Sequence, residues 1–219
     1  MKKIFLLLTI YWFLLIPAFS ETNIKIISDG KESAKIEIIV FESLTCSHCA
    51  TFHKEIYPNL KKDYIDNGSV KIIYKSFPLD LAALNASKIA HCKNDGNSKI
   101  LHMLYEKQTD WAMGENIEEF NLNLRKIINQ ENITIDFDKC LNSEELENHI
   151  LEERIEGVKK YKVNATPTII INEKKFDKPL TYKNLNSISE LYQLFYYFFY
   201  IFKVDSFFEL FFINNYCRS

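Results

Sequence analysis

Two cysteines separated by two residues, Cys46-Ser47-His48-Cys49, are the part of this sequence best suited to chemistry. Thiolate is the reactive form of cysteine, and a second sulfur one turn away lets a mixed disulfide resolve within the same chain. The apolar, β-branched run Ile36 to Phe41 reads as a buried strand that empties into the pair. The segment after it, from Ala50 to Tyr57, carries no helix breaker before Pro58. The cysteines therefore fall at a strand-to-helix turn, with Cys46 near the helix N-terminus. Unpaired N–H groups and the helix dipole favour a thiolate there. Cys46 is the expected nucleophile and Cys49, inside the first turn, the resolving thiol. His48 between them would further favour the Cys46 thiolate, which stabilises the reduced pair and makes its disulfide a stronger oxidant. The competing readings are a structural disulfide and zinc. Zinc would need two more ligands; His53 is close, but the sequence has no second C-x-x-C and no H-x-H. No metal site and no cofactor is expected.

The first twenty residues bear on the compartment in which such a pair would work. Lys2 and Lys3 precede an apolar run from Ile4 to Ile16, and Pro17-Ala18-Phe19-Ser20 supplies small residues before Glu21. That is the layout of a secretory signal peptide over residues 1–20, cleaved after Ser20, with an uncleaved N-terminal anchor as the alternative. An oxidising compartment would favour pairing of cysteines. Richness in lysine, asparagine and isoleucine with only 5 glycines suggests an A+T-rich bacterial genome, and so a periplasm. The 219-residue chain has a formal charge of −2; losing Lys2 and Lys3 leaves 25 basic and 29 acidic residues, 25 − 29 = −4. Neither value gives a reason to expect nucleic acid as a partner.

The elements that would hold the cysteines can be read in order. Asn23 to Ile27 is a candidate edge strand before a Ser28-Asp29-Gly30-Lys31 turn. A helix after Cys49 is expected to break at Pro58 and resume through Ile65. Asp66-Asn67-Gly68-Ser69 is a turn, and Val70 to Ser76 a second strand ended by Pro78. Strand, helix and strand make a βαβ unit with parallel pairing. From Leu79 to Tyr161 apolar residues recur at helical spacing, with Ser143 as the cap of one helix whose stripe is Leu146, Ile150, Leu151 and Ile155. His91, His102 and His149 fall on these helices and read as surface or packing residues, and Trp111 as core. Strand character returns at Thr168 to Ile171, a turn at Asn172-Glu173 leads into Lys174 to Phe176, and a last helix starts near Thr181. The fold class expected is α/β: a thioredoxin fold with an all-helical insertion between the βαβ unit and a C-terminal ββα unit. Its core would comprise residues 21–78 and 162–190, and its insertion residues 79–161. Residues 191–219 form an aromatic-rich extension holding Cys217, a poor membrane span that could be a terminal extension, a genomic accident or a surface anchor for peripheral membrane association.

A second element of the site is Thr166-Pro167-Thr168, where a proline enters a strand and forfeits a ladder hydrogen bond. A cis bond at Pro167 would leave the Thr166 backbone free to pair with an extended substrate; a trans proline at a strand start is the plain alternative. Together, Ser43-Leu44-Thr45-Cys46-Ser47-His48-Cys49, Ser76-Phe77-Pro78-Leu79-Asp80, the helical block and Thr166-Pro167-Thr168 resemble the DsbA-like thiol-disulfide oxidoreductases of the thioredoxin-like superfamily, in particular their alphaproteobacterial members. The resemblance spans about residues 35 to 183. It implies a periplasmic dithiol oxidase with Cys46 attacking, Cys49 resolving, and cis Pro167 with Thr166 in the substrate groove. Two positions depart from the family pattern. Ser47 stands where many members have proline, and Val40 where a buried acid six residues before the first cysteine is usual. Glu42 lies on the same strand face as Val40 and is a candidate proton relay for Cys49; a solvated charge at the strand end is the alternative. A disulfide between Cys92 and Cys140 is what the resemblance supports, closing a loop of about 49 residues and worth ~4 kcal/mol on a chain-entropy basis.

The activity expected is donation of the Cys46–Cys49 disulfide to unfolded exported proteins with free cysteines, followed by reoxidation by a membrane oxidase. The protein is expected to act as a monomer. The alternatives are a disulfide isomerase or reductase, and a secreted binding module whose C-x-x-C is structural.

Overall fold

The computed structural model describes residues 23–187. The signal-peptide segment, the 191–219 extension and Cys217 lie outside the described residues. Five strands form one sheet in the order β1-β3-β2-β4-β5: β1 Ile27–Asp29, β2 Ile36–Glu42, β3 Val70–Ser76, β4 Thr168–Ile171 and β5 Lys174–Lys175. β2 and β3 run parallel from Ile36↔Val70 to Glu42↔Ser76, while β1 and β4 flank them antiparallel. Eight helices lie among the described residues. α1 covers residues 47–65, α2 is Leu81–His91, α3 Lys99–Glu106, α4 Gln108–Trp111, α5 Ile117–Gln130, α6 Phe137–Leu141 and α7 Glu144–Tyr161. An eighth begins at Tyr182. α2 to α7 all fall between β3 and β4. This is a thioredoxin fold with a helical insertion.

The central strand explains why the fold has two cores. Alternate side chains of β2 point to opposite faces of the sheet. Ile36, Ile38 and Val40 join the larger core with Phe52, Leu60, Leu104, Trp111 and Leu124, whereas Ile39 and Phe41 join Ile73, Phe77, Tyr161 and Ile170 on the other side. A strand buried on both faces reads as a near-continuous apolar run, here Ile38 to Phe41. α7 comes so close to β2 that a Cβ on Gly157 would sit 2.9 Å from the Phe41 ring.

Several helix starts follow directly from the sequence. Asp80 accepts from Ala83 N, Asn116 from Glu119 N, Asp136 from Lys139 N, and Ser143 from Leu146 N, each satisfying one orphan donor of a first turn. Trp111 is core, as expected, with its indole N–H donating to the Leu104 carbonyl at 2.8 Å.

Three expectations need correction. Pro58 does not break α1: the helix passes through π-turns at Phe52–Ile56 and Lys61–Ile65, and the wider turn accommodates the ring and the missing donor. The edge strand begins at Ile27 rather than Asn23. The Lys25 N–H donates to the Asn94 side chain at 2.6 Å and the Asn94 amide donates to the Asn23 carbonyl, so this stretch is bonded to the loop after α2. Ile155 is exposed, because α7 buries Leu146, Ile150, Glu153, Gly157 and Tyr161 instead. In the hairpin, Asn172 and Glu173 both have positive φ, 44° and 69°, the requirement of a type I′ turn.

Candidate active site

β2 delivers the chain to the site and α1 takes it away. Cys46 is the N-cap residue of α1, with extended backbone (φ −78°, ψ 120°), and its carbonyl accepts from Ala50 N at 3.1 Å. Cys46 is partly exposed and Cys49 fully buried, and both are free thiols. The loop before them is held from two sides. Gln108 of α4 donates to the carbonyls of Leu44 (2.8 Å) and Cys46 (3.0 Å). On the other side Leu79 N donates to Ser43 Oγ, and Thr45 Oγ1 donates to Asp80 Oδ2 at 2.7 Å. The other oxygen of Asp80 caps α2, so one carboxylate ties the loop to the insertion.

The two thiols are driven in opposite directions. Cys46 is held down to about 5, first by the hydrogen bond from the Cys49 thiol and then by the Thr166 side chain and the N–H groups of Cys49 and His48; burial opposes these and loses. Cys49 is pushed far up, by burial above all and then by the Cys46 hydrogen bond and the charge of Glu42. Thr166 lies across from the pair: the Cys46 thiol donates to its carbonyl at 3.3 Å, and the Thr166–Pro167 bond is cis. His48, expected to act through its imidazole, is exposed, and what it brings to Cys46 is its backbone N–H.

Beneath the cysteines Glu42 is no solvated strand end. It is 3% exposed, and its Oε2 lies 2.7 Å from His53 Nε2. From there the contacts continue: His53 Nδ1 to His102 Nδ1 at 2.9 Å, and His102 Nε2 to Asp29 Oδ2 at 2.8 Å. Asp29 also accepts from Tyr57 (3.0 Å), Tyr74 (2.9 Å) and Ser98 (2.6 Å). Although burial raises it, these donors, led by His102, hold Asp29 down to about 2. Tyr105 stacks on His53 with ring centroids 4.0 Å apart. Proton counting constrains the row. With both carboxylates ionised, each terminal contact needs a proton on the imidazole and the central contact needs a third, so the two rings together carry one positive charge. Moving two of those protons one step each, from His102 Nδ1 to His53 Nδ1 and from His53 Nε2 to Glu42, leaves every contact satisfied and Glu42 protonated.

Sequence reasoning placed Cys46, Cys49, Glu42, Thr166 and Pro167, and these come together. It missed Gln108, His53, His102 and Asp29 as members of the site. The one available signal was His53, which follows Cys49 by four residues and so shares its inward helix face. Cys92 and Cys140 form a disulfide with Cα atoms 5.5 Å apart, joining the end of α2 to α6.

Comparison with known proteins gives the family. Residues 22–190 match the Thioredoxin_4 family model, described as thioredoxin. The chain belongs to the thioredoxin family. It is similar to a Rickettsia typhi protein whose name proposes a protein-disulfide oxidoreductase, 28% identical over 147 residues that cover 65% of this chain and 53% of the relative. It thus spans about half the length of the Rickettsia relatives it matches. It is 27% identical to disulfide bond formation protein D of Bacillus subtilis over 154 residues, covering 66% of this chain and 67% of that protein. Among solved structures, alpha-DsbA1 of Wolbachia pipientis superposes with a TM-score of 0.67 at 26% identity, covering 81% of this chain and 93% of the other. The chain is therefore DsbA-like within its family. Among the described residues no helix is long and apolar enough to cross a membrane.

Proposed function

We propose that the protein is a periplasmic thiol-disulfide oxidoreductase of the dithiol oxidase type. The single observation that carries this reading is the split between the two thiols: Cys46 held down to about 5 and partly exposed, Cys49 buried and driven up. A reduced pair stabilised in this way makes its disulfide a strong oxidant. A substrate thiolate attacks Cys46 Sγ; the Cys46–Cys49 bond breaks and Cys49 leaves, taking up a proton. A second substrate thiolate then attacks the substrate sulfur of the mixed disulfide, and Cys46 leaves as thiolate. The substrate loses two electrons and gains a disulfide, while the enzyme gains two electrons as a dithiol. Thr166 and Pro167, beside the Cys46 sulfur, would seat the substrate backbone, and a membrane oxidase would restore the disulfide.

Glu42 supplies the proton that the leaving Cys49 needs and removes it on reoxidation. The imidazoles of His53 and His102 then refill or drain Glu42 toward Asp29, whose side chain reaches solvent. The test is to equilibrate the protein with glutathione and, separately, titrate the Cys46 thiolate by its absorbance. An oxidising potential with a thiolate midpoint near 5 is expected. A strongly reducing potential would move the reading to a reductase, and Cys46 inert to alkylation after reduction would leave only a structural disulfide.

A further inference from the structure

A second cluster of histidine and carboxylate lies between α2 and α7, against the end of β3. His91, His149 and Glu153 are 3%, 8% and 3% exposed, and one ligand atom from each lies within 4.8 Å of the other two. His91 Nδ1 and Glu153 Oε1 have no hydrogen-bond partner, although both are buried. Buried polar atoms left unsatisfied are costly, so two of them this close together favour an occupant between them. The remaining atoms of these side chains are already oriented from behind. Ser76 N–H donates to Glu153 Oε2 at 2.7 Å, and Ser76 Oγ lies 3.5 Å from His91 Nε2. One residue of β3 thus turns both side chains inward, as outer-sphere partners of metal ligands do.

We propose that His91, His149 and Glu153 form a binding site for a borderline divalent transition cation of the zinc class, with a fourth position open to water. The donor set decides the class. Two imidazoles and one carboxylate suit zinc and its neighbours, and not calcium or magnesium, which take oxygen ligands. Bonds of about 2.0–2.1 Å in a tetrahedron put ligand atoms about 3.4 Å apart; His149 Nε2 and Glu153 Oε1 already stand 3.5 Å apart. Lys75 is the opposing group, with its ammonium 3.7 Å from Glu153 Oε1. It also bonds Glu156 at 3.1 Å, so it keeps a carboxylate partner when a cation takes Glu153. Bound there, the cation would join α2 to α7 across the sheet end.

The test uses the full protein with Cys46–Cys49 oxidised and any remaining thiol alkylated, so that no sulfur competes. Zn2+ or Co2+ alone is the probe. Expected are one equivalent bound, a rise in Tm with added metal, and tetrahedral Co2+ absorption without a sulfur band. His149→Gln and Glu153→Gln should abolish the Tm response, whereas His102→Asn should not. Ser76→Ala, which removes no ligand, should weaken binding about 10–100-fold. Failure of the oxidised wild type to bind either ion, or binding unchanged in His149→Gln, overturns the site. If the ligand variants do not fold, the Ser76→Ala affinity and the wild-type Co2+ spectrum decide: unweakened binding or an octahedral spectrum would reject it. None of these readouts depends on the disulfide exchange proposed above.

Discussion

The molecule holds two buried sets of imidazoles and carboxylates built from the same residue types, and they differ in how they are closed. In Glu42, His53, His102 and Asp29 every successive contact is between 2.7 and 2.9 Å and only the far oxygen of Glu42 is left without a partner. In His91, His149 and Glu153 the contact between His149 and Glu153 is 3.5 Å, and one ligand atom of each of the three lies within 4.8 Å of the others. A row in hydrogen-bond contact can pass protons; a cluster held apart leaves room for an ion. Residue type alone does not separate the two, and spacing between the ligand atoms does.

The largest effect expected concerns the thiol above the first cluster. In the reduced protein the Cys46 thiolate should titrate near pH 5, against an ordinary thiol value of 9. Because its value is lowered on folding, Cys46 stabilises the reduced form fully above pH 9. That contribution is lost as pH falls from 9 to 5 and is absent below 5. Denaturant unfolding of reduced and oxidised protein across this window would measure it, and a flat difference would contradict the assignment.

Next in size, replacing Cys92 and Cys140 by alanine should cost ~4 kcal/mol in unfolding free energy from loop closure alone. Cys92 directly follows His91, so the loss falls on the helices of the open cluster. Cys46 titration should not move, and a moved midpoint would show that the two regions are coupled.

Glu42→Gln should slow the steps in which Cys49 gains or loses a proton by about 100-fold, the ordinary scale of general acid–base catalysis. Single-turnover exchange with a dithiol peptide, following the mixed disulfide, reads this directly. The corresponding change at Glu153 should register in Zn2+ affinity; comparable slowing of Cys49 by Glu153→Gln would erase the distinction between the clusters.

The smallest effect is expected at His102. His102→Asn should slow the same steps roughly tenfold, and add little when Glu42 is already Gln, since parts of one unit are not additive. Full additivity of the two changes would argue that His102 acts only by packing.

Much of this was legible in the sequence for definite physical reasons. Strands buried on both faces give β-branched and apolar runs, as in Ile38 to Phe41 and Ile72 to Tyr74, and side-chain caps such as Ser143 mark helix starts. The C-x-x-C carries its own spacing. What could not be read were the partners that depend on docking. Glu42 is buried with His53 of α1 on its carboxylate and His102 of α3 behind that ring, and Asp29 looks like a turn residue until Tyr57, Tyr74 and Ser98 gather on it. His91 and His149 look like packing residues because the helices that bring them together are far apart in the chain. Pro58 misled for a different reason: the cost of proline in an α-helix is real, and π-turns avoid it.

The row beneath the cysteines also draws its members from three separately built parts. Glu42 and His53 come from the βαβ core, His102 from the helical block, and Asp29 from the edge strand. A chain whose helical block has not yet docked would carry the same C-x-x-C with no outlet for the Cys49 proton. On the proton relay proposed above, full turnover would wait for completed assembly, and the buried imidazoles would act as an internal check that a half-folded copy cannot pass.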